Sequence, residues 1–272
     1  MTCPFCQAEN GDSAKFCVSC GAKLPERANT EPVQGDVLAA TKAAPLFGAA
    51  ARKARIEQMV SEDAIISTRA YNGVMAGVLL WGLGVNYLLC QTVGNVFNYI
   101  SPVLFYILYA VLAFGGIFLT ARSQKPALSF LGYNMVVVPF GLVISTLVEY
   151  YAKQDPTIVT YAFLYTTLIA VGMMAVVLIA PNLFAKLGGA LGAVLIGVLL
   201  CEIILLVFHV QQTWLDWVIA GLFSMYLGYD IYRSQQYPKT LDNAVDSALD
   251  IYMDFANLFI RILRIIAASK EK

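Results

Sequence analysis

Long uninterrupted apolar stretches fill residues 70–268, separated by short polar joins. No charged residue lies between Arg69 and Arg122, and two further uncharged runs extend from Pro126 to Val148 and from Pro156 to Ala185. A bilayer crossing takes about 20 residues of helix, so the pattern predicts seven spans, at 71–93, 97–121, 127–150, 157–180, 187–208, 212–233 and 246–267. The joins carry chain-turning residues: Gly94 and Asn95, Gln124 to Pro126, Asp155 and Pro156, Pro181 and Asn182, and Pro238. Pro139 falls inside the third span and should kink it, which a membrane helix tolerates when neighbours satisfy the freed carbonyl.

Composition supports the membrane reading. The chain is 59% apolar and 13% charged with a mean hydropathy of +0.68, whereas a soluble domain has about 25% charged residues. The formal net charge is zero, which removes any bulk electrostatic case for a nucleic-acid or anionic partner. With the N-terminus in the cytosol, the inner segments hold Arg52, Lys53, Arg55, Arg69, Arg122, Lys125, Lys186, Arg233 and Lys239, against Lys153 alone outside. That bias favours N-in. Seven spans then put Lys270 and Lys272 outside, with Arg261 and Arg264 near that end. This local violation leaves open a buried or re-entrant last segment whose arginines face protein and water.

The first 23 residues are a separate object. Cys3-x2-Cys6 and Cys17-x2-Cys20, with ten residues between the pairs, put four thiolates on two knuckles, as a closed tetrahedral zinc site requires. Four cysteines leave no open position for catalysis, and a disulfide staple is disfavoured in the reducing compartment that N-in implies. The stretch CPFCQAENGDSAKFCVSCGAKL resembles the zinc-ribbon caps found at the N-termini of prokaryotic membrane proteins. Lys15, Lys23 and Arg27 form no basic stripe, so a protein-contact or sensory module is expected rather than a nucleic-acid binder. Residues 24–51 have the composition of a flexible linker. Residues 52–66 fit either an amphipathic surface helix or a solvated lead-in, and the membrane domain occupies 69–268.

Two aspartates sit in apolar company on the last two predicted spans: Asp230 in SMYLGYDIYR and Asp254 in ALDIYMDFANLFIRILRII. Carboxylates at helix depth cost several kcal/mol and mark ion pathways, proton relays or catalytic pairs. Asp250, Asp254, Asn257, Arg261 and Arg264 fall at offsets of 0, 4, 7, 11 and 14 and form one polar stripe on an apolar helix. Asp230 lies 8 residues before Pro238 and Asp254 16 after it. A helix starting at the proline would leave them about 12 Å apart in depth at ~1.5 Å per residue. The two meet only if residues 238–245 run as a loop, with Asp242 and Asn243 available as caps.

GYDIYRSQQ and DSALDIYMDFANLFIRILRII resemble the closing signature of the Bax inhibitor-1 (transmembrane BAX inhibitor motif) family, and RAYNGVMAGVLLWGLGVNYLL resembles its opening. YNMVVVPFGLVISTLVEYY is similar to the third span of that family. The resemblance covers residues 69–268 and implies an all-α, seven-helix transmembrane bundle with a central last helix. It also implies a pH-governed calcium leak in which Asp230 and Asp254 act as a proton-sensitive latch. Two carboxylates that meet in a low-dielectric site cannot both ionise cheaply and titrate as a unit. Calcium suits the uncovered pair, because hard cations take carboxylate and carbonyl oxygens.

The alternative is that each aspartate pairs with an arginine as an architectural lock, with Arg233, Arg261, Arg264 or Arg122 as partners. Glu149 could attract cations at the outer mouth or merely sit at the interface, and Glu202 could be a local specialisation or turn outward. His209 reads as interfacial, and Cys90 and Cys201 as packing residues. An intramembrane aspartyl protease also carries paired aspartates, but its Gly-x-Gly-Asp turn is replaced here by Ile251, Tyr252 and Met253 ahead of Asp254. The chain is therefore expected to be a non-enzymatic integral protein of a prokaryotic inner or plasma membrane. A non-conducting regulator acting through partners on the ribbon is the competing reading.

Overall fold

The computed structural model describes residues 64–208 and 213–270, with Ser19 and Val60 singly. The four ribbon cysteines, the linker, almost all of residues 52–66, and His209 lie outside these. Among the described residues the fold is helical with no strand: α1 Thr68–Thr92, a 3-10 turn Val96–Asn98, α2 Pro102–Arg122, α3 Pro126–Gln154, α4 Pro156–Ile179, the short α5 Pro181–Ala185, α6 Gly188–Val207, α7 Thr213–Ser234 and α8 Leu241–Lys270. Helices α1 to α4 are each long and apolar enough to cross a membrane, and α6 contains a shorter apolar stretch, Ala190–Leu205.

Local chemistry sets the boundaries. Ser67 caps α1 by accepting from the Ala70 N–H, and Ser101 caps α2 with Pro102 at its first position. The second span therefore starts at Pro102 rather than 97, although VFNYI is apolar enough to have been read as helix. Asn95 Oδ1 accepts from the Phe97 N–H at 2.9 Å and turns those residues into the 3-10 turn instead. Ile65 to Ser67 are not helical, and the Ile66 N–H donates to the Lys239 carbonyl at 2.8 Å. Helix α3 runs unbroken through Pro139.

The last helix is the axis of the bundle. From Asp242 to Ala267 most residues of α8 are buried, and the helix packs against α1, α3, α4 and α7. Its neighbours are inside-out by soluble standards: Leu80, Phe114, Leu164, Leu178 and Ile203 point outward. Such an outer face belongs in hydrocarbon, where apolar surface carries no penalty.

Three buried tyrosines lock the core. The Tyr133 hydroxyl on α3 donates to the Val78 carbonyl of α1 at 2.9 Å. On α8, Tyr252 accepts from Asn86 Nδ2 of α1 at 2.7 Å. The Tyr71 hydroxyl lies 3.0 Å from the Ser234 carbonyl, 3.3 Å from the Asn243 carbonyl and 2.9 Å from Ser247 Oγ, joining α1 to the end of α7 and to the early turns of α8.

The starts of α1, α3 and α8 share one end of the bundle, where Ser129 Oγ meets Asp242 Oδ1 at 2.5 Å. The end of α8 lies at the other, where Lys270 reaches Asp155 and Thr157 in the α3–α4 turn. Lys270 holds the Asp155 carboxyl at about 2, below the usual carboxylate range.

Helix α2 packs on α3 across a glycine pair. A Cβ on Gly132 would come within 2.7 Å of the Gly116 carbonyl oxygen, and one on Gly116 within 2.5 Å of the Gly132 carbonyl oxygen. Backbone cannot give way as a side chain can, and small-residue contacts of this kind let membrane helices approach closely. Gly132→Ala should therefore separate α2 from α3 and cost about 1–3 kcal/mol. The loss should show as a lower thermal midpoint of the purified protein, while Gly84→Ala, with no heavy atom within 4 Å of its Cβ position, should not lower it.

Candidate functional site

Helices α7 and α8 meet along a buried stripe of charge. Arg233, 6% exposed, places Nη1 3.4 Å from Asp230 Oδ1 and Nη2 2.5 Å from Asp250 Oδ2. Its guanidinium carbon sits 5.5 Å from the Tyr229 ring centroid and 5.6 Å from that of Tyr237. Two aromatic faces thus stabilise a cation that has left water. Asp254 is buried next to this group, within electrostatic reach of Asp230, Asp250 and Arg233. Its Oδ2 is buried without a hydrogen-bond partner among the described residues.

Two carboxyl groups this close can share a hydrogen bond only if a proton lies between them. Arg233 pairs with both Asp230 and Asp250, the other acidic members of the group. Among the described residues no three His, Cys, Asp or Glu side chains are gathered as a metal-binding set. In this arrangement Arg233 is the basic partner of the carboxyls.

The contact arises differently from the loop expected at residues 238–245. Helix α8 already begins at Leu241, and its cap is Thr240, whose Oγ1 accepts from the Asn243 N–H at 3.1 Å. Asp242 and Asn243 are not caps: Asp242 pairs with Ser129, and Asn243 Nδ2 donates to the Pro238 carbonyl at 3.0 Å. The helices are levelled instead by the Arg233–Asp250 pair. From that level Asp230 lies three residues along α7 and Asp254 four along α8, about 4.5 and 6 Å at ~1.5 Å per residue. The first turns of α8 extend past the end of α7, so the depth difference disappears without a long loop.

The predicted stripe splits in two. Asn257 donates Nδ2 to its own helix at the Met253 carbonyl, 2.8 Å away, and joins no aspartate. Arg261 belongs to a second cluster, 2.6 Å from Glu202 Oε1 of α6 and 2.9 Å from Asp216 Oδ1 of α7, with Arg264 Nη1 3.8 Å from the same Asp216 oxygen. These partners give both arginines counter-charges within the bundle. Glu202 thus turns inward. Asp216 was missed by sequence reasoning, though its place in TWLDWV on an apolar helix signalled a need for a cation.

Asp242 and Asp246 were also missed as buried residues. They extend the four-residue spacing of Asp250 and Asp254 toward the helix start, which is the signal that could have found them. Glu149 accepts from the Asn95 N–H and from Lys153 Nζ, tying the end of α3 to the turn after α1, where Gly94 takes a φ of 60°.

Comparison with known proteins identifies the architecture. A family model described as inhibitor of apoptosis-promoting Bax1 matches residues 64–271. The chain belongs to the Bax inhibitor family. It is an integral membrane protein of that family, and a second model, a zinc-ribbon domain, matches residues 2–24 and spans Cys3, Cys6, Cys17 and Cys20. The mouse protein named lifeguard 4 is 28% identical over 176 residues, 63% of this chain and 71% of that protein. Uncharacterized proteins from two strains of Helicobacter pylori are 37% identical over 112 residues, which cover 39% of this chain. The match spans 46% of those relatives' length.

The buried charges make Arg233 the test of the site. Removing one partner of a buried ion pair leaves the other uncompensated, at about 3–5 kcal/mol. Arg233→Gln should lower the unfolding midpoint by that order, and adding Asp250→Asn should recover part of the loss. Equal stability of Arg233→Gln and the parent would mean that the carboxyls are neutralised by protons alone.

Proposed function

We propose that this chain is a seven-span cation leak, with calcium as the ion and the Asp230–Asp254 pair as its proton-dependent latch. The observation that carries the reading is the gathering of buried Asp230 and Asp254, with Asp250, around a single buried arginine. With the proton in place, α7 and α8 are tied together. When it leaves, the site holds more negative charge than Arg233 can balance, and the helices either separate or admit a cation. A divalent ion with oxygen ligands fits that demand. On this reading the spans are α1 to α4 and α6 to α8, the N-terminus and the ribbon are cytosolic, and the ribbon binds one zinc through Cys3, Cys6, Cys17 and Cys20 as a contact or sensory module.

A non-conducting regulator that works through partners on the ribbon is the second reading, favoured by the addition of that module to the family domain. A protease is not supported. Asp254 sits on an unbroken helix behind Ile251, Tyr252 and Met253, leaving no glycine turn for a substrate strand. Arg233 also occupies the flank of the pair.

Flux into vesicles containing only the purified protein separates the two readings. Asp230→Asn and Asp254→Asn should each flatten the pH dependence of calcium flux, and the double variant should add little, because the pair titrates as one unit. Full retention of the parent's pH profile in both would make the aspartates architectural, and absence of flux at any pH would favour the regulator.

The ribbon calls for a separate measurement. The full chain should carry one zinc per molecule, lost on Cys3→Ser. Deletion of residues 1–50 should leave the membrane domain folded, with an unchanged thermal transition, and a failure to insert would count against modularity.

A further inference from the structure

Helices α1 and α4 each pack on both α3 and α8, and between them lies a cavity of about 380 Å³, floored by α3 and α8 and walled by Leu83, Val148, Val159, Phe163 and Phe259. It shares Cys90, Gln91 and Val148 with a second cavity of about 510 Å³ that reaches Thr92, Gly94, Glu149 and Lys153 at the Asp155 end of the bundle. Polarity changes along this path. The first cavity is apolar and lies at helix depth, and the second is polar and lies where α1 and α3 end. Apolar below and charged above is the order of a bilayer lipid.

We propose that the groove binds one acyl chain of a zwitterionic glycerophospholipid, whose headgroup sits at Glu149 and Lys153. The volume of the inner cavity is in the range of sites for small apolar ligands, about 300–1,000 Å³. Residues Leu83, Val159 and Phe259 offer the chain no hydrogen bond, so the inner cavity selects by shape and apolarity. At the mouth, Lys153 and Glu149 Oε1 pair with each other; Lys153 is largely exposed and keeps further N–H donors for a phosphate, and the carboxylate keeps lone pairs for an ammonium. An acid and a base side by side match a zwitterion and give an anionic headgroup no second partner. A soluble peptide would need a run of main-chain partners inside the groove, where the lining offers only Asn86, Tyr87, Cys90 and Gln91, all on the α1 side. The proposal does not depend on ion conduction, since it concerns a surface of α1 and α4 rather than the α7–α8 charges.

Cys90 is a native reporter, because it lines both cavities, whereas Cys201 on α6 lines neither. In the full-length protein in detergent, phosphatidylethanolamine should slow alkylation of Cys90 by a small maleimide, read by peptide mass spectrometry, while leaving Cys201 unchanged. At ten times its Kd the lipid leaves about one site in eleven free, so the slowing approaches about tenfold. Glycerophosphoethanolamine, the headgroup alone, should protect little, and phosphatidylglycerol, without the amine, should protect less than phosphatidylethanolamine. Val159→Trp fills the groove and should abolish the lipid dependence. Lys153→Met, at an exposed position that leaves the fold intact, should weaken protection by phosphatidylethanolamine toward that by phosphatidylglycerol. Equal slowing of both cysteines, no slowing of Cys90, equal protection by the two lipids, or full protection in a folded Val159→Trp would each overturn the proposal.

Discussion

The structure depends on one arginine. Arg233 is the basic partner that α7 brings to its buried junction with α8, and its two nitrogens hold acids on both helices. A cation of this kind is expensive to bury alone, and so are the carboxyls around it; together they become tolerable because each removes the other's need for water. The pair also fixes the relative height of the two helices, and that height brings Asp230 against Asp254. Geometry and charge balance are therefore the same fact at this site, since moving either helix by one turn would strand three acids and a guanidinium in apolar surroundings.

The second cluster repeats the solution at the far end of α8. Arg261 gathers Glu202 and Asp216, and thereby joins to the axis a helix, α6, whose main packing is on α7. The two clusters, with Tyr252 between them, make α8 a polar spine inside an apolar shell. A water-soluble protein of this size would place its charges outside and its leucines inside, and the bilayer reverses that preference.

Much of this was legible in the sequence. The uncharged runs marked the helices, and Pro126, Pro156 and Pro181 marked the starts of α3, α4 and α5, whereas Ser101-Pro102 at the start of α2 was passed over. The Asp250, Asp254 and Arg261 spacing identified α8 as a helix with a polar inner face. What sequence could not give was pairing across helices. Asp242 fell in the expected loop and Asp246 at the first position of the predicted last span, because nothing local shows that Ser129, 113 positions earlier, will meet Asp242. The approach of Asp230 and Asp254 was expected to need a loop over residues 238–245 that the structure does not have, because depth counted from Pro238 assumes that both helices end at one level. The Tyr71 hydroxyl, bridging Ser234 to Asn243 and Ser247, belongs to neither helix and could not enter that count.

The position of α8 in the chain has a consequence for how the molecule is made. A ribosome delivers segments in order, and domains begin to organise as they emerge. Here the helix that fills the centre emerges after the seven helices it organises. Until it arrives, Arg233 has no Asp250, Asn86 no Tyr252 and Tyr71 no Ser247, and the earlier helices surround an unfilled middle. Final assembly thus waits for α8. A stop codon ahead of Leu241 would remove the keystone, and quality-control proteases of the membrane would see an open ring rather than a shortened bundle.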